Sequence, residues 1–140
     1  MVDNDLGDVL NLLRELKLED NTIVFFTGDN GGQDRFKSKD HPRGFYGPNV
    51  DPLTGTEFRG GKGNLYEGGL RIPFLVRWPG QVPAGAESDA LQTLVDLPQS
   101  FLSACGIDAP EVMTGVDQTT VWKGELPAAR DHVLVEHHLK

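Results

Sequence analysis

An apolar run that stops abruptly at a polar, glycine-rich loop constrains the fold of this chain most. Residues 22–27 read TIVFFT, and residues 28–32 follow at once as GDNGG. A short apolar run without polar alternation suits a strand covered on both faces, as in an α/β sheet. Open α/β sheets bind ligands in the loops at the carboxyl ends of their strands. The run therefore predicts a buried strand that presents residues 28–32 to a ligand.

Further apolar patterns place this strand among helices and other strands. Apolar residues recur at helical spacing from Leu6 to Leu16, which predicts a helix over residues 4–17. Another apolar run predicts a second strand over residues 72–78, and residues 132–136 are predicted as a last strand. We therefore expect an α/β fold.

The remaining segments are predicted as loops with one more helix. Residues 33–61 are polar, rich in glycine and proline, and without a clear period; a loop of this length is usually functional or disordered. Residues 93–95 are predicted as a short extended piece. Asp96 is then predicted to cap a helix that Gly106 ends, and residues 107–131 are predicted to be mostly loop.

Composition narrows the classes of partner. The 140 residues suffice for one domain, and the single cysteine, Cys105, is expected to be buried and allows no internal disulfide. The formal net charge of −8 argues against a nucleic-acid surface, which needs clustered lysine and arginine. No apolar run approaches the roughly 20 residues of a membrane span, and the acidic start is unlike a signal peptide. We expect neither nucleic acid nor membrane as a partner, and the localisation stays unknown.

Asp29 and Asn30 are the first candidate ligand-binding residues. A carboxylate and an amide carbonyl are hard oxygen ligands of the kind that Ca²⁺ and Mg²⁺ take. Glycines on both sides free the backbone, so that two adjacent side chains can converge on one ion. An ordinary turn is the alternative, because Asp-Asn-Gly is also good turn chemistry. The spacing of an EF-hand loop is absent.

Lys62 is the second candidate, because glycines surround it over residues 60–63. They let the backbone approach a ligand closely and free the ammonium to point at an anion. The segment is not a P-loop, since Thr56 stands where the first glycine should be and Gly63 follows the lysine. The alternative is a flexible hairpin with a solvated lysine.

Taken together, these segments resemble the type I sulfatases, members of the alkaline-phosphatase-like superfamily. The resemblance covers about residues 5–125, and the order and spacing of the motifs are far more specific than either motif alone. The matching pieces are Thr27-Gly28-Asp29-Asn30-Gly31, Gly61-Lys62-Gly63, Tyr66-Glu67-Gly68-Gly69, Arg71, Pro73 and Trp78-Pro79-Gly80.

The resemblance implies a fold and a function. Residues 1–140 would form one partial domain, the carboxy-terminal part of a sulfatase catalytic domain whose mostly parallel or mixed sheet is flanked by helices. The function implied is calcium-dependent, arylsulfatase-like hydrolysis of a sulfate ester. One Ca²⁺ would be held by Asp29 and Asn30, with its other ligands in a segment absent from this sequence. Lys62 would be catalytic and would bind the sulfate of a sulfated carbohydrate or an aryl sulfate. Full-length relatives are often periplasmic, secreted or lysosomal.

One departure from the family pattern is large. The family forms a formylglycine nucleophile from Cys or Ser in a Cys/Ser-x-Pro-Ser-Arg motif, and no such motif occurs in these 140 residues. We therefore expect the chain to be inactive alone. Two alternatives stay open: a non-catalytic module that binds calcium or a sulfated glycan, and a phosphatase or phosphonate hydrolase on the same scaffold.

Weaker candidates lie around these motifs. His41 could bind substrate, and a solvated loop histidine is the alternative. Glu67 is interpreted as a structural partner of the Lys62 turn or of Arg71 rather than as a general base. A sugar or aryl pocket could also be shaped by Arg43, Tyr46, Asn49 and Arg59.

Overall fold

The computed structural model describes residues 2–33 and 49–136 of the chain. The elements in order are α1 (Val2–Glu15), a 3₁₀ turn (Glu19–Asn21), β1 (Val24–Thr27), α2 (Glu67–Leu70), β2 (Phe74–Arg77), α3 (Asp96–Ala104) and α4 (Thr119–Trp122). Within these residues β1 and β2 pair in a two-stranded sheet, and an isolated antiparallel bridge joins Val50 and Glu57. Helices interspersed with paired strands agree with the predicted α/β class.

The structure confirms the first helix and the first two predicted strands, although every residue of β1 is half-buried rather than buried as predicted. It corrects the weaker expectations. Residues 93–95 are wrongly predicted as extended, because Val95 has right-handed helical backbone angles (φ −63°, ψ −23°) and leads into α3. Residues 132–136 form no strand, since no described strand pairs with them. The sequence analysis also missed α2 and α4, because a four-residue helix is too short to show a period.

The two ends of α3 differ in how well they were predicted. Gly106 follows the helix at φ +69°, a left-handed conformation that ends helices and suits glycine. The N-cap is Val95 with no side-chain cap, so the prediction that Asp96 caps the helix is wrong. Pro98 is tolerated in the first turn, where its missing N–H would have no helical partner. Cys105 is exposed rather than buried, because it lies at the open carboxyl end of the helix.

The first of two compact units contains residues 1–25 and 76–133, of which residue 1 lies outside the description. Its apolar contacts centre on Phe25, whose ring centroid lies 4.6 Å from that of Phe101 and 5.1 Å from that of Trp122. Val121 and Trp122 are buried, whereas α1 buries none of its residues. The apolar core of this unit is therefore small and lies around α3 and α4.

A buried carboxylate organises the polar interior of the first unit. Asp96 is fully buried and accepts hydrogen bonds from the backbone N–H groups of Thr93 at 3.0 Å and Val116 at 2.9 Å. Gln118 Nε2 donates to the same carboxylate at 3.1 Å, and the Arg130 guanidinium forms an ion pair with it. The Asp96 carboxylate therefore does not cap α3 as predicted; it joins α3 to residues 116, 118 and 130.

The second unit contains residues 26–75 and 134–140, of which 26–33, 49–75 and 134–136 are described. The buried residues among these are all glycines, namely Gly31, Gly61, Gly68 and Gly69. Because glycine has no side chain, it allows backbone segments to approach within hydrogen-bond distance. Main-chain contacts thus build the interior of the unit that carries both candidate ligand-binding segments.

Candidate functional site

The loop after β1 presents the two predicted metal ligands. Asp29 is exposed and Asn30 is half-buried. Asn30 Nδ2 donates to the carbonyl oxygen of Gly31 at 2.9 Å. Among the described residues no group donates to Asn30 Oδ1, so this oxygen is the side-chain atom available to a ligand. The carboxylate of Asp29 and this amide oxygen are hard oxygen donors of the kind that Ca²⁺ takes, and they would supply two of the six to eight that it needs.

Lys62 lies on an exposed turn whose backbone depends on glycine. Gly60 at φ +74° and Gly63 at φ +89° adopt left-handed conformations on either side of it. Lys62 is exposed, and within residues 2–33 and 49–136 its ammonium forms no ion pair. A free ammonium on a fixed turn is suited to meet an anion from solution.

The structure joins these two segments through their main chains. Gly31 N donates to Gly69 O at 2.9 Å, and Lys62 N donates to Gly32 O at 2.9 Å. A Cβ added to Gly31 would overlap the carbonyl oxygen of Gly68 and the backbone of Gly69. The close approach therefore requires glycine at position 31, and it places the backbone of the Lys62 turn directly beside the loop of Asp29 and Asn30.

Glu67 pairs with Arg71, as one of the two interpretations of the sequence predicted. Arg71 Nε lies 2.5 Å from Glu67 Oε2, and Arg71 Nη1 lies 3.6 Å from Asp51 Oδ2. The pKa of Asp51 is lowered, chiefly by hydrogen bonds from the backbone N–H groups of Thr54 and Leu53 and further by Arg71. A carboxylate committed to an arginine is a poor general base, which favours a structural role for Glu67.

An arginine and a tyrosine stack beside the Lys62 turn. The Arg59 guanidinium carbon lies 3.7 Å from the centroid of the Tyr66 ring, and 44% of Tyr66 is exposed. Arg59 was one of the weaker candidates from the sequence, and the Tyr66 ring is a partner that holds its guanidinium in position. This cation–π contact places the Arg59 guanidinium over the Tyr66 ring, close to Lys62 in the chain.

Asn49 has contacts that the sequence analysis did not foresee. Its Nδ2 donates to Gly32 O at 2.8 Å and to Gly68 O at 3.0 Å. The sequence offered it only as one of several pocket residues, and no spacing or motif indicates a bond to two glycine carbonyls. His41, Arg43 and Tyr46 lie outside the described residues.

Further metal ligands are expected from beyond these loops. In the described part of the chain no group of three or more His, Cys, Asp or Glu side chains could hold a metal ion. Asp29 and Asn30 therefore remain a predicted pair of ligands that needs others.

Comparison with known proteins identifies the family. The family model described as Sulfatase matches residues 1–107, which is more than half of the chain. This chain belongs to the sulfatase family. The sulfatase chain is 38% identical over 118 residues to N-acetylgalactosamine-6-sulfatase of Canis lupus familiaris, covering 83% of this chain and 20% of that protein. It is 31% identical over 140 residues to steryl-sulfatase of Homo sapiens, covering 98% of this chain and 22% of that protein.

A solved structure confirms the fold. PsFucS1 sulfatase from Pseudoalteromonas sp. matches the sulfatase chain with a TM-score of 0.74 at 31% identity, over 95% of this chain and 25% of that one. The expected α/β sulfatase fold is therefore correct. The chain spans about a fifth of the length of the two curated relatives. No helix in the described residues is long and apolar enough to cross a membrane.

Proposed function

We propose that this chain contributes the calcium-binding and sulfate-binding residues of an enzyme that hydrolyses a sulfate ester. The main-chain pairing between the Lys62 turn and the loop of Asp29 and Asn30 carries the proposal. It brings together a turn that carries an exposed lysine and a loop that carries two oxygen donors. A sulfate and a metal ion bound to it would need both. Membership of the sulfatase family supports sulfate as that anion.

In this proposal Lys62 acts by its charge. Its ammonium donates hydrogen bonds to the sulfate oxygens and stabilises the negative charge that develops on the departing alkoxide. Asp29 and Asn30 would hold a Ca²⁺ ion through the carboxylate and the amide oxygen. When bound, the ion neutralises negative charge on the sulfate and its attacking group.

The nucleophile is not among these 140 residues, because the Cys/Ser-x-Pro-Ser-Arg motif is absent from them. We therefore propose that the chain alone does not turn over a sulfate ester. An assay of the purified chain with para-nitrophenyl sulfate checks this. Hydrolysis that is lost in Lys62→Ala would overturn it.

We propose a sulfated carbohydrate as the substrate class. The relative with 38% identity is named for a sulfated amino sugar, N-acetylgalactosamine 6-sulfate. The stacked Arg59 and Tyr66 side chains support this choice, since an aromatic ring suits a sugar ring and a guanidinium suits its anionic groups. An aryl or steroid sulfate is the alternative within the same reaction class.

Binding of a sulfated sugar at Lys62 tests the proposal. In an NMR titration with Ca²⁺ present, N-acetylgalactosamine 6-sulfate is expected to shift the amide signals of residues 61–63, whereas the unsulfated sugar leaves them in place. Lys62→Ala should abolish the response, and Lys17→Ala, which removes an exposed lysine of the first unit, should preserve it. Equal shifts with the unsulfated sugar, or an undiminished response in Lys62→Ala, would contradict sulfate binding.

The two competing functions predict different titrations. A phosphatase or phosphonate hydrolase would respond to N-acetylgalactosamine 6-phosphate at lower concentration than to the sulfate. A non-catalytic calcium module would bind Ca²⁺ tightly by itself. The proposed sulfatase site, with only Asp29 and Asn30 from this chain, should bind Ca²⁺ in the millimolar range, which calorimetry can measure.

A further inference from the structure

The side-chain amide of Asn49 connects the backbones on which both halves of the proposed site stand. One of its N–H groups faces Gly32 O at 2.8 Å, in the loop that carries Asp29 and Asn30. The same nitrogen lies 3.0 Å from Gly68 O, at the start of the α2 region that follows Lys62. Both partners are carbonyl acceptors, so the two hydrogens of an amide nitrogen match them.

Two donors converge on the carbonyl oxygen of Gly32. Lys62 N donates to it at 2.9 Å and Asn49 Nδ2 donates to it at 2.8 Å. A carbonyl oxygen has two lone pairs, so both bonds can form together. The loop of the predicted metal ligands is thereby held from two directions, by the lysine turn and by Asn49.

The backbone of Asn49 is itself anchored. Its carbonyl oxygen accepts a hydrogen bond from Phe58 N at 2.7 Å, next to the antiparallel bridge between Val50 and Glu57. A Cβ added to Gly32 would overlap Asn49 Oδ1, so glycine at position 32 makes room for the amide. The hairpin of residues 49–58 thus holds the side-chain amide of Asn49 in place, while the acceptors of that amide, Gly32 O and Gly68 O, lie outside the hairpin.

We propose that Asn49 is a positioning residue that sets the distance between the predicted metal ligands and the Lys62 turn. It touches neither metal nor sulfate in this proposal and acts through Gly32 and Gly68. The functional part of this inference rests on the proposed function, because the positioning matters only if Asp29, Asn30 and Lys62 serve one ligand. Its structural part stands independently of that function.

Amide hydrogen exchange of the full 140-residue chain tests the structural part. Asn49→Asp keeps the size of the side chain and replaces the donor nitrogen with an acceptor that faces two carbonyl oxygens. The amides of Gly31 and Lys62 are expected to exchange at least about tenfold faster, since the bonds that hold the loop to the turn are weakened. Exchange at the wild-type rate for both amides would overturn the proposal.

Two controls separate positioning from general damage. Asn64→Asp makes the same chemical change in the same unit, but Asn64 Oδ1 accepts a bond from Tyr66 N at 3.1 Å, which aspartate retains. It should leave the amides of Gly31 and Lys62 protected. Asn49→Ala removes the donor without adding charge and should give a smaller change in the same direction. If both Asn49 variants also deprotect α3 in the first unit, Asn49 supports the whole fold and the positioning role is wrong.

Calcium titration tests the functional part separately. In the wild-type chain Ca²⁺ is expected to shift the amide signals of Asp29 and Asn30, and Asn49→Asp should reduce the apparent affinity at least about fivefold with α3 unchanged. An unchanged affinity with faster exchange would overturn the link to the metal site. If the wild-type chain shows no shift with Ca²⁺, the proposed function loses its metal site, while the exchange result still decides whether Asn49 holds the two segments together.

Discussion

The two units of this sulfatase chain differ in the groups that they bury. In the first unit the carboxylate of Asp96 is fully buried and its hydrogen bonds go to the protein. In the second unit Asp29 and Lys62 are exposed, and the buried positions among residues 26–33, 49–75 and 134–136 are glycines. The first unit therefore contains a buried charged side chain, whereas the buried positions described in the second unit are glycines joined by main-chain hydrogen bonds.

The difference shows why an aspartate's chemistry alone does not indicate its role. Asp29 and Asp96 both follow short apolar or β-branched stretches and both were singled out from the sequence. The structure gives Asp96 a set of donors from the protein, whereas Asp29 is exposed on a loop whose main chain is bonded to the Lys62 turn. The surroundings of the carboxylate, rather than the residue type, therefore distinguish the buried structural aspartate from the exposed one.

The largest expected effect tests the first half of this comparison. Asp96→Ala leaves Arg130, which is 15% exposed, without its carboxylate and removes the acceptor for two backbone N–H groups. The free energy of unfolding should fall by about 3–5 kcal/mol in urea denaturation. Asp131→Ala removes the contact between Asp131 Oδ1 and His132 Nδ1, both of which are exposed side chains, and it should change nothing measurable. Equal effects of the two substitutions would contradict the stabilising role of the buried carboxylate in the first unit.

A smaller effect tests whether glycine builds the second unit. Gly31→Ala places a Cβ against the backbone of Gly68 and Gly69, and it should lower the free energy of unfolding by about 1–3 kcal/mol. Gly7→Ala in α1 meets nothing within 4 Å and should raise the free energy of unfolding by about 0.5–1 kcal/mol, because alanine favours the helix. Opposite signs for one chemical change are the expected result; a neutral Gly31→Ala would show that the close approach is not required.

The smallest effect concerns pH in the first unit. Burial would raise the pKa of Asp117, but hydrogen bonds from Ser103 Oγ at 2.6 Å and Thr119 N at 2.8 Å outweigh it, so the pKa lies below its ordinary value of 3.8. The charged carboxylate therefore stabilises the folded chain above this value, and the stabilisation is lost as the pH falls through the lowered pKa. Ser103→Ala should move the midpoint of acid unfolding to higher pH. It should lower the free energy of unfolding at neutral pH by less than about 1 kcal/mol. An unchanged acid midpoint would contradict the role of Ser103.

Local patterns in the sequence predicted much of this architecture. Residues 22–32 combine an apolar run with a glycine-rich stop, and the strand and loop are where that pattern puts them. The helical spacing from Leu6 to Leu16 predicted α1 in the same way. These elements are set by neighbours in the chain, so a single sequence contains their signal.

Distant contacts account for what the sequence did not predict. The bonds of Asp96 reach Val116 and Arg130, which are 20 and 34 residues away, and those of Asn49 reach glycine carbonyls 17 and 19 residues away. Such partners leave no periodic pattern in the sequence. For this reason Asp96 was predicted as a helix cap, whereas the structure shows it buried and bonded to several segments. The assignment of Asp29, Asn30 and Lys62 to calcium and sulfate came from family resemblance and remains a prediction.

Paramagnetic NMR tests the central claim, that the side chains of Asp29, Asn30 and Lys62 serve one ligand. Gd³⁺ takes oxygen ligands as Ca²⁺ does and broadens the signals of nuclei near it. Titrated into the 140-residue chain, it should broaden Asp29 and Asn30 first and the side-chain signals of Lys62 with them, and Asp29→Ala should abolish both effects. Broadening centred on other carboxylates of this acidic chain, with Lys62 unaffected, would contradict a shared metal and sulfate site.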